Sequence, residues 1–333
     1  MNAPLTAKDF ATDQEVRWCP GCGDYAILKC VQKTLADVQA DPDNTVFVSG
    51  IGCSSRFPYY MNAYGFHTIH GRAPAFATGL KIANPELDVW VVTGDGDGLS
   101  IGGNHLLHVL RRNVDVQIML FNNEIYGLTK GQYSPTSRPG TRSPSSPGGS
   151  IDAPLAPGAF ALGAGARFIA RGVDTDAKHL SPVLKAAREF KGASFVEIFQ
   201  NCIVYNKDVF EDFVNKKQAK ETQLHVEHGK PLLFANGTKG LKLNTQTLAF
   251  EIISVGEGGV PETEVHIHDE TNRSLAQMLL TLPMQGYPMP LGVIYRAPAT
   301  PFDEAFWAHH ATQGKRTGKV ADALRKGSVW KKG

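Results

Sequence analysis

The 333-residue chain reads as an α/β protein, a doubly wound parallel sheet, on three observations. Apolar, β-branched runs at residues 46–49, 89–92, 116–121 and 195–199 lack the polar alternation of half-exposed strands, as strands buried on both faces do. Segments with helical spacing separate these runs through about residue 200, the pattern of parallel strands joined by helical crossovers. With 42% hydrophobic residues the chain can bury one large core.

The amino-terminal stretch MNAPLTAKDFATDQEVRW is polar, no apolar run approaches membrane-spanning length, and the five cysteines are odd in number. Together these predict a soluble chain with reduced thiols in the cytoplasm. Trp18-Cys19-Pro20-Gly21-Cys22 has thioredoxin-like spacing, but no apolar strand precedes it and its middle pair is inverted. Gly23 stands where haem attachment needs His, and a zinc ribbon wants a second close pair. One close pair plus two distant thiols, Cys19, Cys22, Cys53 and Cys202, suits a [4Fe–4S] cluster, with zinc the second reading. Cys30 lies within the apolar stretch 25–31 and reads as a small buried residue.

The strand at 89–92 stops at Gly94-Asp95-Gly96, a sharp turn. A helix is predicted from Ser100 as N-cap, with Ile101, Leu106, Leu107, Val109 and Leu110 in helical spacing. The strand at 116–121 then ends at Asn122-Asn123. Strand, helix, strand brings two carboxyl ends side by side, so Asp95 and Asn123 share one crevice. A carboxylate and an amide oxygen make a hard-oxygen half-site, as Mg²⁺ uses when phosphates complete its shell; two polar loops capping a sheet would look alike. Gly102 and Gly103 each cost about 0.5–1 kcal/mol within a helix, which predicts close approach of another backbone or a ligand.

Residues 134–157 are rich in Pro, Ser and Gly, carry Arg138 and Arg142, and predict a long loop bordering the site or a partner. Residues 211–228 predict a helix with a solvated face, and from about 236 helices alternate with loops. The division is therefore one domain over 10–235 and a less regular C-terminal extension over 236–333, packed on that domain or on a partner. The last thirty residues are basic and polar, without pattern, and no internal repeat is found. A net charge of +2, with no basic cluster interleaved with aromatics, argues against nucleic acid.

WCPGCGD, GIGCSSR, HGRAPAFATGLK, GDG…NNEIYGLTKGQ with SPTS after it, and a lone Cys202 behind SFVEIFQ follow in order over about residues 15–210. Motif by motif this resembles the β subunits of 2-oxoacid:ferredoxin oxidoreductases, and the GDG-to-NN part is similar to the diphosphate-binding signature of thiamine diphosphate enzymes. The resemblance implies a diphosphate-binding domain with Mg²⁺ on Asp95, the Asn123 side chain and the Ile125 carbonyl. It puts the cluster on Cys19, Cys22, Cys53 and Cys202. Contacts to thiamine diphosphate would fall on Ile51, Gly52, Cys53, Ser54, His70, Gly96, Asp97, Gly127 and Leu128. Plainer readings exist: His70 can bond backbone in its turn, and Leu128 can be ordinary packing.

The implied reaction is coenzyme A-dependent oxidative decarboxylation of a 2-oxoacid, reversible as reductive carboxylation, with thiamine diphosphate as electron sink and ferredoxin as acceptor. Only one thiamine-type sheet unit is found, so the resemblance also implies an α subunit with the pyrimidine-binding domain, in an (αβ)₂ heterotetramer. Arg56, at a family position that faces the acid, could clamp a second carboxylate, or pair with an acid across the interface. With the GIGCSSR and LLHVLRRN wording this favours 2-oxoglutarate over pyruvate, and makes Arg56 and His70 the candidate catalytic residues. A zinc-bearing thiamine decarboxylase and an electron-transfer subunit with a vestigial thiamine site are the other readings.

Overall fold

The computed structural model describes residues 3–283, 286–313, 319–327 and Trp330. The first half runs α1 (Asp24–Asp37), β1 (Thr45–Ser49), a 3₁₀ turn (Ser54–Tyr60), β2 (Tyr64–His67), α2 (Ala73–Ala83), β3 (Asp88–Gly94), α3 (Asp95–Leu99), α4 (Gly103–Arg112) and β4 (Gln117–Asn122). A small hairpin of β5 (Ile125–Tyr126) and β6 (Gln132–Tyr133) follows, then α5 (Pro157–Gly163), β7 (Phe168–Val173), α6 (Ala177–Glu189) and β8 (Ser194–Phe199). Beyond lie α7 (Glu211–Val214), α8 (Ala219–Thr222), β9 (Gln223–Val226), β10 (Leu233–Phe234), β11 (Lys239–Asn244), β12 (Ala249–Ser254), α9 (Arg273–Leu280), β13 (Met289–Arg296), α10 (Phe302–Thr312) and α11 (Val320–Leu324).

Eight strands form the main sheet in the order β2-β1-β3-β4-β8-β7-β13-β9. Every neighbouring pair is parallel except β7 with β13. The central strands are unbroken apolar runs because both their faces are covered. In β3, Val89 and Val91 enter one core while Trp90 and Val92 enter the other; Ile118 and Leu120 of β4 likewise oppose Met119 and Phe121. Leu106, Val109 and Leu110 of α4 cover the first face, and Ile27, Val31 and Leu35 of α1 with Leu180 and Leu184 of α6 cover the second. This is the doubly wound arrangement expected, and truncating a fully buried Phe of either core to Ala would cost about 3–5 kcal/mol.

Four expectations need correction. The predicted helix from Ser100 is two helices: the chain turns helical already at Asp95, breaks at Ser100 and resumes at Gly103 with Gly102 as N-cap. Close backbone approach accounts for the glycine at the restart, since a Cβ on Gly102 would lie 2.4 Å from the Asp97 carbonyl oxygen and 2.9 Å from the Gly71 Cα. Gly103, by contrast, faces open space, so the close approach predicted for it is absent. Residues 211–228 form two four-residue helices and then strand β9, not one helix.

The fourth concerns the C-terminal region, which is more than helices and loops. Its β10-β11-β12 sheet is antiparallel, and β13 enters the main sheet between β7 and β9. Leu241, Phe250, Leu275, Leu279 and Ile294 belong to the same hydrophobic cluster as Val89 and Leu106, so residues on both sides of 235 share one core. The basic tail falls partly outside the described residues.

Candidate functional site

The parallel strands β1, β3, β4 and β8 all end at one edge of the sheet, and each carboxyl end carries site residues. Ile51, Gly52, Cys53 and Ser54 follow β1, Asp95 follows β3, Asn123 follows β4, and Gln200 and Cys202 follow β8. Ile51, Gly52, Cys53, Ser54, His70, Asp95, Gly96, Asp97, Asn123, Ile125, Gly127 and Leu128 all line one crevice of about 60 Å³. These are all the positions expected to meet thiamine diphosphate or Mg²⁺.

Asp95 is 2% exposed. Burial raises its carboxyl above the usual range, opposed by the hydroxyls of Ser134 and Thr136 and by neighbouring backbone N–H groups. Both hydroxyls donate to Oδ2, at 2.5 and 2.7 Å, so Oδ1 carries no side-chain donor. A buried carboxylate held only by neutral donors is what a divalent cation would stabilise. The amide of Asn123 is fixed from both ends: Nδ2 donates to Gln200 Oε1 at 2.8 Å, and Oδ1 accepts from the Ile125 N–H at 3.2 Å. Its oxygen is thereby kept on the Ile125 side, beside the two other groups expected to hold Mg²⁺.

Asp97 has a different task. Its Oδ1 accepts from the N–H groups of Ile51 at 3.0 Å and Gly71 at 2.7 Å, and its Oδ2 from the Thr93 hydroxyl at 2.6 Å. The carboxylate therefore ties the turn after β1 and the turn before α2 to the end of β3. His70 Nδ1 approaches Asp97 Oδ1 to 2.9 Å without hydrogen-bond alignment, and the ring opens onto the crevice. The Tyr126 hydroxyl donates to the Gly96 carbonyl at 2.9 Å. Leu128 is 43% exposed, so packing within this chain does not account for it.

Beside the crevice, a cavity of about 190 Å³ gathers Cys19, Cys22, Cys53 and Cys202. Cys53, Asn123, Gly127 and Leu128 line both spaces. A Cβ on Gly127 would lie 3.5 Å from the sulfurs of both Cys53 and Cys202, so this glycine sits in the wall between them. Cys30 is elsewhere, buried in α1. Among the described residues no three His, Cys, Asp or Glu side chains converge to hold a single ion. Four thiols spread around a cavity fit a group with several irons, each taking one sulfur, better than one tetrahedral zinc.

Burial pushes the Cys53 thiol up to about 12, with Asp24 and neighbouring thiols adding to the effect and Arg56 opposing it. Burial and then Asp24 raise Cys22 further. Burial thus disfavours the thiolate form of Cys22 and Cys53, a cost that a bound cation would offset. Arg56 lines this cavity with Arg17 and Lys130, rather than the crevice where a substrate acid would meet the cofactor. The 3₁₀ turn after Cys53 carries Arg56 to this sulfur side.

Several supporting residues escaped the sequence reading. Trp18 Nε1 donates to the Cys53 carbonyl at 2.7 Å, which anchors that turn. Arg171 and Glu197, register partners on β7 and β8, form a buried 2.8 Å ion pair. The pair continues through Asn122 Nδ2 to Glu197 at 2.8 Å and Thr136 to Asn122 at 3.1 Å, ending on Asp95. Arg138 pairs with Glu124 at 3.2 Å, pinning the 134–157 loop against the site. The Ser-Pro-Thr-Ser run was the available signal for this loop's part in the site.

Residues 50–198 match the family described as thiamine pyrophosphate enzyme, C-terminal TPP binding domain. The 2-oxoglutarate oxidoreductase subunit KorB of Mycobacterium tuberculosis is 58% identical over 235 residues, 70% of this chain and 63% of the relative. The chain thus matches less than two thirds of that relative's length. The 2-oxoglutarate synthase subunit KorB of Methanocaldococcus jannaschii is 39% identical over 65% of this chain and 81% of its own. Among solved structures, 2-oxoglutarate:ferredoxin oxidoreductase from Magnetococcus marinus, with 2-oxoglutarate, coenzyme A and succinyl-CoA bound, superposes with a TM-score of 0.76 at 33% identity. That match covers 97% of this chain and 95% of the other.

Proposed function

Because the chain belongs to the β subunits of 2-oxoacid:ferredoxin oxidoreductases, we propose that it supplies the thiamine diphosphate, Mg²⁺ and [4Fe–4S] sites for oxidative decarboxylation of 2-oxoglutarate to succinyl-CoA and CO₂. The reaction is reversible as reductive carboxylation, and ferredoxin exchanges the electrons. The observation that carries this reading is the shared wall: Cys53, Asn123, Gly127 and Leu128 belong both to the crevice and to the four-thiol cavity. A simple decarboxylase has no use for that adjacency.

Asp95 Oδ1, Asn123 Oδ1 and the Ile125 carbonyl would hold Mg²⁺, and phosphate oxygens would complete its shell. Cys19, Cys22, Cys53 and Cys202 would hold the cluster. When bound, thiamine diphosphate supplies an electron sink for the bond to departing CO₂. Asp97 keeps the Ile51 turn and the turn after His70 in place, and Leu128, which lines both spaces, would pack against the cofactor. His70 is proposed to donate a hydrogen bond to the diphosphate or to the reacting oxygen. Arg56, Arg17 and Lys130 oppose the negative charge of the thiolates.

A crevice of about 60 Å³ is far smaller than the roughly 300–1,000 Å³ that small-molecule sites occupy. This supports a cofactor clamped between this chain and an α subunit with the pyrimidine-binding domain, in an (αβ)₂ assembly. Edge strand β2 and its surroundings also expose Tyr64, Phe66, Ile69 and Phe76, apolar surface of the kind partners cover. No helix among the described residues is long and apolar enough to cross a membrane. We place the reaction in the cytoplasm, where thiols stay reduced. The complex co-purified with its α subunit should reduce a low-potential acceptor with 2-oxoglutarate and coenzyme A. Turnover with pyruvate alone would reassign the substrate, and turnover of a 2-oxoacid without an electron acceptor would favour simple decarboxylation.

A further inference from the structure

We propose that Gln200 is a positioning residue for both cofactor sites, orienting the Asn123 amide toward Mg²⁺ with its oxygen and raising the cluster's reduction potential with its N–H donor to Cys22. The inference rests on the cofactor assignment above and gives a role to a residue for which neither the motifs nor the resemblance supplied one.

Gln200 is the first residue after β8 and is 1% exposed. Its backbone N–H donates to the Asn122 carbonyl at 2.9 Å, which locks it beside the end of β4. The side-chain amide is fully used. Oε1 accepts from Asn123 Nδ2 at 2.8 Å, while Nε2 donates to the Cys22 sulfur at 3.2 Å and to the Asn201 carbonyl at 2.8 Å. One planar group therefore spans from the crevice to the sulfur cavity.

The chemistry needs an amide of this length. Asn123 must offer its oxygen to a cation, so its Nδ2 needs an acceptor behind it, and Gln200 Oε1 is that acceptor. A cluster sulfur gains from a hydrogen-bond donor, which stabilises the more negative reduced state and moves the potential upward. Glutamate could receive Asn123 Nδ2 but could not donate to sulfur. Lysine could donate to sulfur but would turn the Asn123 amide around. Only a side chain with donor and acceptor together meets both demands, and asparagine is one methylene short.

The test uses the complex with its α subunit and two variants, Gln200→Glu and Gln200→Met. Spin quantitation establishes that each holds its cluster, a potentiometric titration followed by electron paramagnetic resonance gives the midpoint, and Mg²⁺-dependent binding of thiamine diphosphate is measured on cofactor-stripped complex. In Gln200→Glu, which keeps the acceptor, affinity should stay within about threefold of the parent while the midpoint moves to more negative potential. In Gln200→Met, which keeps length without polarity, the midpoint should also fall, and affinity should drop roughly 10–100-fold, as for other groups that orient a metal ligand.

Unchanged midpoints in both variants would overturn the sulfur contact. A shift in Gln200→Glu alone would assign it to added charge and overturn it too. Unchanged affinity in Gln200→Met would overturn the orienting role, and loss of the whole cluster in either variant would make Gln200 structural. A parent complex without iron or thiamine diphosphate would instead defeat the cofactor assignment itself, a result distinct from all of these.

Discussion

At Asp95 the fold brings one buried carboxylate to the floor of the crevice with only neutral donors around it. The ion-ligand role proposed for it predicts that Asp95→Ala loses Mg²⁺-dependent thiamine diphosphate binding by more than the roughly 10–100-fold that an outer-shell partner costs, with iron content unchanged. Stoichiometric cofactor in the purified variant would refute the assignment. Among the thiols, Cys202→Ala should abolish the cluster's paramagnetic signal, while Cys30→Ala should keep it because Cys30 lies buried in α1. A normal signal in Cys202→Ala would mean another fourth ligand. Arg56 lies on the sulfur side, so Arg56→Leu should lower the cluster's midpoint and reduce kcat/KM equally for 2-oxoglutarate and 2-oxobutyrate. A loss confined to the dicarboxylic acid would return Arg56 to substrate recognition. The placement of Cys53, Cys202, Asp95 and Asn123 was legible because each follows a strand that its own local sequence defines, while Cys19 and Cys22, ahead of α1, were marked only by their close spacing. The role of Gln200 was not legible, since a polar residue at a strand end acquires meaning only when distant segments meet.

Among the elements, the central strands were legible because burial on both faces leaves nothing but apolar residues. The C-terminal hairpin was missed although the signal existed: Gly240, Leu241, Lys242, Leu243 and Asn244 alternate, and Phe250 and Ile252 resume the alternation after a polar turn. Strand β9 has only four residues, too few for periodicity to decide. Its junction with α6 supplies a pH-dependent contact, for the rings of His179 and His225 lie 4.3 Å apart. Burial, with the nearby His225 charge, lowers the His179 pKa to about 4. The unfolded chain takes up that proton near pH 6.5 and the folded one only near 4, so this contribution to stability is complete above about 6.5 and drains away as pH falls toward 4. The parent should therefore lose melting temperature relative to His179→Gln between pH 6.5 and 5. Parallel curves for the two proteins would remove His179 as the source.

For the whole molecule, the site edge is complete in its strands yet too shallow for its cofactor, which predicts that this chain purified alone shows no 2-oxoacid turnover and gains it on mixing with the α subunit. Full activity of the lone chain would disprove the half-site. No local pattern could show how the sheet closes, since β13 pairs antiparallel with β7 across more than a hundred residues of sequence. That closing strand also sets a schedule for synthesis. Once β8 has left the ribosome, β7 is an open sheet edge, and about ninety more residues must be made before Met289 begins to cover it. At ordinary elongation rates the gap lasts roughly 5–20 s. During it all five thiols are already present on the nascent chain beside an unpaired strand. The interval is one in which that edge is open to wrong strand pairing, and slow translation of residues 200–290 would prolong it.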